Sequence, residues 1–128
     1  MSGNLHAREM LEIAAMDLKS LRHMLDPAKH MDEVFGFHAQ QAIEKSLKAW
    51  LSQLDVDYPH IHHLGSLLKQ LAEMGEDVSS FWHLTDYTIF GVQYRYELLG
   101  DREEPLDRHT VLDAVEKLHW HVERLISE

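Results

Sequence analysis

Histidine, arginine and paired charges are the residue types in this 128-residue chain that could do chemistry, and eleven histidines make metal binding the first case to weigh. His60, His62 and His63 form one cluster, and His119 and His121 flank Trp120 in another. A di-iron site in a helical bundle needs two Glu-x-x-His pairs and further inward glutamates. Glu116 and His119 make one such pair and no second follows, so no metal and no cofactor is expected. Arg95 stands between Tyr94 and Tyr96, whose rings suit either a sandwiched guanidinium or a stacked base. The plainer role for Arg95 is a bridge to a carboxylate on another helix. Glu44 and Lys48 sit four residues apart in the favourable order, a pair worth about 0.2–0.5 kcal/mol on an exposed helix face. Covalent catalysis and phosphate loops have no support: there is no cysteine, no GxSxG and no GxxxxGK.

These residues need elements to position them. Leu11, Ala14, Leu18, Leu21 and Leu25 recur at helical spacing over about residues 5–24, and Asp26-Pro27 stops the pattern. A second helix over about 31–54 carries Phe35, Ala39, Ile43, Leu47, Trp50, Leu51 and Leu54 on one face. Phe37, Gln41, Glu44 and Lys48 then share a stripe on the opposite, solvated side. A third opens after His63 with Leu64, Leu67, Leu68 and Leu71, and Gly75 suits its C-terminus. The last runs from about 107 to 126, with Asp107 as N-cap and Val111, Leu112, Val115, Leu118, Val122, Leu125 and Ile126 inward. Between them, residues 81–105 read as a helix frayed by Gly91 and ending in an extended loop. Four amphipathic segments of about twenty residues with short connections predict an all-α, antiparallel up-and-down four-helix bundle. A short extra helical segment precedes its last helix, and residues 1–128 form a single domain. Trp120 falls roughly 140° from Val115 at 100° per residue, which places it off the core face as a contact for another chain, with Phe81 and Trp82 adding to that surface.

Charge narrows the functions. Twenty-two acidic against twelve basic residues give a formal net charge of −10, the wrong sign for gripping DNA through its phosphates. No stretch approaches the roughly 18 apolar residues that span a bilayer. Glu9, Glu12 and Asp17 interrupt the N-terminal segment, so it does not read as a signal peptide, and a chain without cysteine fits a cytoplasmic setting.

The segment Phe37-His38-Ala39-Gln40-Gln41-Ala42-Ile43-Glu44-Lys45-Ser46-Leu47-Lys48-Ala49-Trp50-Leu51 resembles the second helix of HEPN-domain proteins: an aromatic, then QQA-EK--KA-L. His63-Leu64-x-x-Leu67 resembles the start of that family's next helix. Leu84-Thr85-x-Tyr87 with Arg95-Tyr96 resembles its tyrosine-rich segment, so the likeness covers nearly the whole chain. The resemblance implies a homodimeric four-helix bundle that works beside a minimal nucleotidyltransferase in a two-gene, toxin–antitoxin-like system. It implies that the second-helix stripe lines a groove or a dimer contact; Gln41, Glu44, Lys45 and Lys48, with Tyr94 and Tyr96 beside Arg95, are the residues expected to bind a nucleotide or an RNA end. Gly65-Ser66 is similar to the start of a nucleotidyltransferase signature but lacks the acidic pair after it, so transfer chemistry must come from the partner.

Many members of the family are ribonucleases with an Arg, four to six residues, then a His. That chemistry needs no metal, because the RNA's own 2′-hydroxyl is the nucleophile, a His moves the proton and an Arg steadies the phosphate. Here the sequence departs from the pattern. No His follows Arg95 at that spacing; Arg102 and His109 have six residues between them but lie among Asp101, Glu103, Glu104 and Asp107. The three enzyme candidates are therefore Arg95, Arg102 and His109. A dimer adaptor without any ligand is the third class.

Overall fold

The computed structural model describes residues 2–58, 63–91 and 105–127. Every regular element among them is helical: α1 Ser2–His23, α2 Asp32–Gln53, α3 Leu64–Glu73, a 3₁₀ segment Trp82–Gly91, and α4 Arg108–Ser127. Contacts fall into two groups that share α2. It packs with α1 and α4, which also touch each other, and separately with α3 and the 3₁₀ segment, which touch each other. The expected apolar faces of α1 and α4 are inward, with Ala14, Leu18, Leu21, Val115, Leu118 and Val122 all buried.

Two expectations need correction. α3 has ten residues rather than about twenty. Gly75 stops it by taking φ +88°, so that its N–H bonds the Ala72 carbonyl and the Glu76 N–H bonds that of Leu71. That six-to-one closure turns the chain out of the helix. The segment after α3 winds as a 3₁₀ helix and packs by its ends, Leu84 and Phe90 being buried. Phe81 is buried too, edge-on to Trp50 at 6.0 Å, and it lines one open hollow together with Trp120 and His121.

The start of α4 is fixed by an arginine. Arg108 is buried and donates to the carbonyls of Met24 and His30, both at 2.6 Å, and to Asp32 Oδ1 at 2.8 Å. Its guanidinium lies 5.1 Å from the Phe35 ring centre. Asp32 Oδ2 accepts from the Leu106 N–H at 3.0 Å, so the turn between α1 and α2 and the entry to α4 share one knot. Asp107 caps α4 as expected, accepting from the Thr110 N–H, and those bonds hold its carboxyl below the usual range. Farther along, His119 Nε2 lies 3.3 Å from the Leu11 carbonyl oxygen.

Gly36 lets the 3₁₀ segment approach α2: a Cβ there would overlap the buried Phe90 ring. A helix-interior Gly→Ala change ordinarily stabilises by about 0.5–1 kcal/mol. Overpacking a fixed ring costs about 1–3 kcal/mol. Gly36→Ala is therefore expected to lower the urea midpoint rather than raise it, and adding Phe90→Leu to that variant should recover most of the loss. A stabilised Gly36→Ala chain would show that the ring yields.

Candidate functional site

Because α2 is shared by both groups, its polar side chains are enclosed with its apolar ones. Gln40, Glu44 and Lys48 are spaced four apart and all are buried, so of the stripe expected to face solvent Glu44 and Lys48 do not, while Phe37 and Gln41 are partly exposed. Gln40 Nε2 donates to Glu44 Oε1 at 2.9 Å, and Lys48 Nζ donates to Glu44 Oε2 at 2.9 Å. Lys45 Nζ reaches the same Oε2 at a looser 3.4 Å from a partly exposed position. Pairing is required here, because an ionised carboxylate without partners is not tolerated in a core.

The rest of the site comes from the turn after α2. Asp55 takes φ +58°, and the N–H groups of Asp55 and Val56 bond back to the carbonyls of Ser52 and Leu51. This reversal brings Tyr58 beside Lys48, whose Nζ lies 5.5 Å from the ring centre. Gln70 of α3 steadies the turn through the Asp57 carbonyl at 2.8 Å. The Tyr58 hydroxyl is 2.6 Å from His6 Nε2 on α1, and the two rings stack. Burial, and secondarily the Glu44 charge, push the Tyr58 hydroxyl above its usual 10.

The other sequence candidates are placed elsewhere. Gln41 is partly exposed on α2. His109 is exposed at the start of α4, next to Arg108. Arg108 is tied to Asp32, twelve residues before Glu44 and so about 18 Å away along the helix axis. The structure thus separates the His109 end from the Glu44–Lys48 set. Tyr94, Arg95, Tyr96 and Arg102 lie outside the described residues, as do His60 and His62.

Among the described residues no group of three or more histidines and carboxylates is placed to hold a metal ion. His63 instead caps α3, its Nδ1 accepting from the Ser66 N–H at 3.2 Å. His121 stands against the rings of Trp50 and Phe81, at 4.8 and 5.3 Å between centres. Trp120 is 57% exposed, as its angle on α4 requires, and carries the Arg124 guanidinium 4.8 Å over its ring. No helix of the described residues is long and apolar enough to cross a membrane.

Sequence reasoning missed Gln40, Tyr58, His6 and Arg108. The spacing of Gln40, Glu44 and Lys48 was the available signal for the first. Tyr58 and His6 meet only through the fold, and no periodic pattern marks them. Arg108 follows an N-cap aspartate, where a cation reads as an ordinary surface residue.

Removing one member of the buried pair leaves a charge without its best partner, a loss of about 3 kcal/mol. Lys48→Met and Glu44→Gln should each lower the denaturation midpoint, and the double variant should lose clearly less than the two losses added. Strict additivity would dissolve the pair as an energetic unit. In Glu44→Gln the Tyr58 hydroxyl should titrate nearer 10 in an ultraviolet titration, only part of the way because burial remains the larger cause. Its raised value is favourable to folding at neutral pH, and that contribution is lost as pH rises above 10 and through the folded-state value.

Comparison with known proteins gives one positive finding: a family model described as HEPN domain matches residues 7–125. No curated protein and no solved structure matches the chain.

Proposed function

The chain belongs to the HEPN domain family, and from that premise we propose that it is the nucleotide- or RNA-end-binding accessory half of a two-gene nucleotidyltransferase system. In this reading it is a cytoplasmic homodimer built as an antiparallel four-helix bundle, and a minimal nucleotidyltransferase supplies the transfer chemistry. The antiparallel arrangement is supported by contacts between opposite ends of the helices. Arg108 at the start of α4 bonds Met24 beyond the end of α1, while His119 lies against Leu11. His6 and Asp17 on α1 meet Tyr58 and His38 in reverse order along the chain.

The observation that carries the proposal is the charge set on α2. Lys45 and Lys48 set two ammonium groups against the single Glu44 carboxylate, at 3.4 and 2.9 Å, an excess of one positive charge in a protein of net −10. A long polyanion is repelled by such a protein as a whole. A single phosphate group meets only the local excess, which suits a mononucleotide or a strand end. Lys45 is the cation free to turn toward it, because its bond to Glu44 is the longer one and its side chain reaches solvent. Charge-assisted bonds to phosphate are the strong ones, and they need little of the surface.

Thermal unfolding with each nucleoside triphosphate and with a short RNA tests this. Stabilisation is expected with at least one, and Lys45→Ala should weaken apparent binding by about tenfold, or 1.4 kcal/mol. No shift at millimolar concentrations of any of them would remove the ligand and leave a dimer adaptor. RNA cleavage in EDTA, run in parallel, decides the rival enzyme reading. Cutting that is lost in His109→Ala and kept in Lys45→Ala would make the chain a metal-free ribonuclease.

A further inference from the structure

We propose that the outward face of α1 is a self-association surface, on which two copies of the chain lie antiparallel about a two-fold axis at Met16. This rests on the pairing of two copies proposed above and gives that pairing a place. The inward face of α1 is complete without it: Ala7, Leu11, Ala14, Leu18 and Leu21 are all buried. On the outward face, Leu5 is 62%, Ile13 42% and Met16 70% exposed. At 100° per residue these three fall within about 80° of one another. Single exposed apolar side chains are ordinary, but Ile13 and Met16 stand one turn apart on this face, and together they offer a partner an apolar centre.

The charges on the same stripe say what covers it. Glu9 and Glu12 lie in its first half, and Lys19 and His23 in its second. A two-fold axis at Met16 sets positions equidistant from it against each other. Met16 then meets Met16, Glu9 faces His23, and Glu12 faces Ser20 with Lys19 beside it. A parallel arrangement would set Glu9 on Glu9 and Lys19 on Lys19, like against like. The stripe is therefore complementary to itself in one direction only, as an isologous contact must be.

Shape agrees with charge. Beside Met16 an open hollow of about 510 Å³ is lined by Met16, Lys19, Ser20, His23, Met24 and His38. His38 on its wall is held by Asp17 at 2.8 Å. The positions that the two-fold axis sets against Lys19 and His23 are Ile13 and Glu9. The hollow thus offers two adaptable methionine side chains to an entering Ile13, and a cation and an imidazole to Glu9. Arg22 is not needed for this contact, since it is engaged with Glu116 at 3.4 Å.

Sedimentation equilibrium on the full chain tests the proposal. The wild type is expected to be a dimer, and Met16→Glu a monomer of unchanged helical content. Glu12→Lys and Lys19→Glu should each weaken the dimer by about tenfold, and the two together should bring it back near the wild-type constant. A dimer indifferent to all these changes, but dissociated by Trp120→Ala, would move the contact to α4 and overturn the α1 surface. A wild type monomeric up to the millimolar range would overturn self-association altogether. Nucleotide-dependent stabilisation, read on the same Met16→Glu protein, keeps the two proposals apart. A monomer that still responds to nucleotide leaves the ligand reading intact, whatever the fate of the interface.

Discussion

A helix enclosed on nearly every side has to satisfy its polar side chains from within, and α2 lives under that constraint. Packing against α1 and α4 on one side and α3 and the 3₁₀ segment on the other leaves Gln40, Glu44, Ser46 and Lys48 without a solvated face. Four-residue spacing resolves most of this locally, since it stacks an amide, a carboxylate and an ammonium one above another. A carboxylate in such a place gives weak evidence for stability, because an apolar trio of similar volume would commonly hold the helices as well. What it does provide is directional: Glu44 orients the Gln40 amide and the Lys48 ammonium at 2.9 Å each, and leaves Lys45 on a looser 3.4 Å contact.

The two ends of α2 are closed by different means, and this sets what each end is able to do. At its start, Arg108 uses a rigid fork to join two backbone carbonyls and Asp32, while Phe90 rests on Gly36 one turn along. A lysine could not hold these three acceptors with the same geometry. At its end the closure is softer, a left-handed Asp55 and a turn that carries Tyr58 across to His6. The side-chain knot is thus beside His109, and the partly exposed Lys45 and the Tyr58–His6 pair lie toward the end closed by a turn. Small ligands are accommodated more readily at the second kind of end, because a turn adjusts at less cost than a knot.

Much of the fold was legible because its helices obey periodicity. The inward residues of α1 and α4 and the caps at Asp107 and Gly75 follow from spacing and turn chemistry alone. The site was legible only in part, and for a physical reason. A charged stripe on a helix reads as solvated when one apolar face is visible opposite it, and the sequence of α2 does show such a face in Ile43 and Leu47. Glu44 and Lys48 are enclosed with the help of the turn that returns Tyr58 to Lys48 and joins it to His6 of α1, which no helical periodicity announces. The same holds for Phe81, whose place against Trp50 depends on where the α3 turn ends. Residues Tyr94, Arg95, Tyr96 and Arg102 were named for chemistry that depends on a segment outside the described residues.

The outward faces of α1 and α4 both carry exposed apolar side chains, and they differ in how far the chain already covers them. On α4, the Trp120 ring lies under the Arg124 guanidinium, a contact that partly satisfies the ring's face in the monomer. On α1, Met16 and Leu5 have no such cover, and they stand on a helix whose inner stripe already supplies its packing. An apolar stripe that folding does not use raises the risk of non-specific association unless something selects its occupant. Charge order does that selecting on α1, because acid and base are divided between the two halves of one face and oppose each other only in the antiparallel sense. A cation over a lone tryptophan carries no such directional information. The α1 face is for that reason the better defined of the two, although Trp120 is the more conspicuous residue in the sequence.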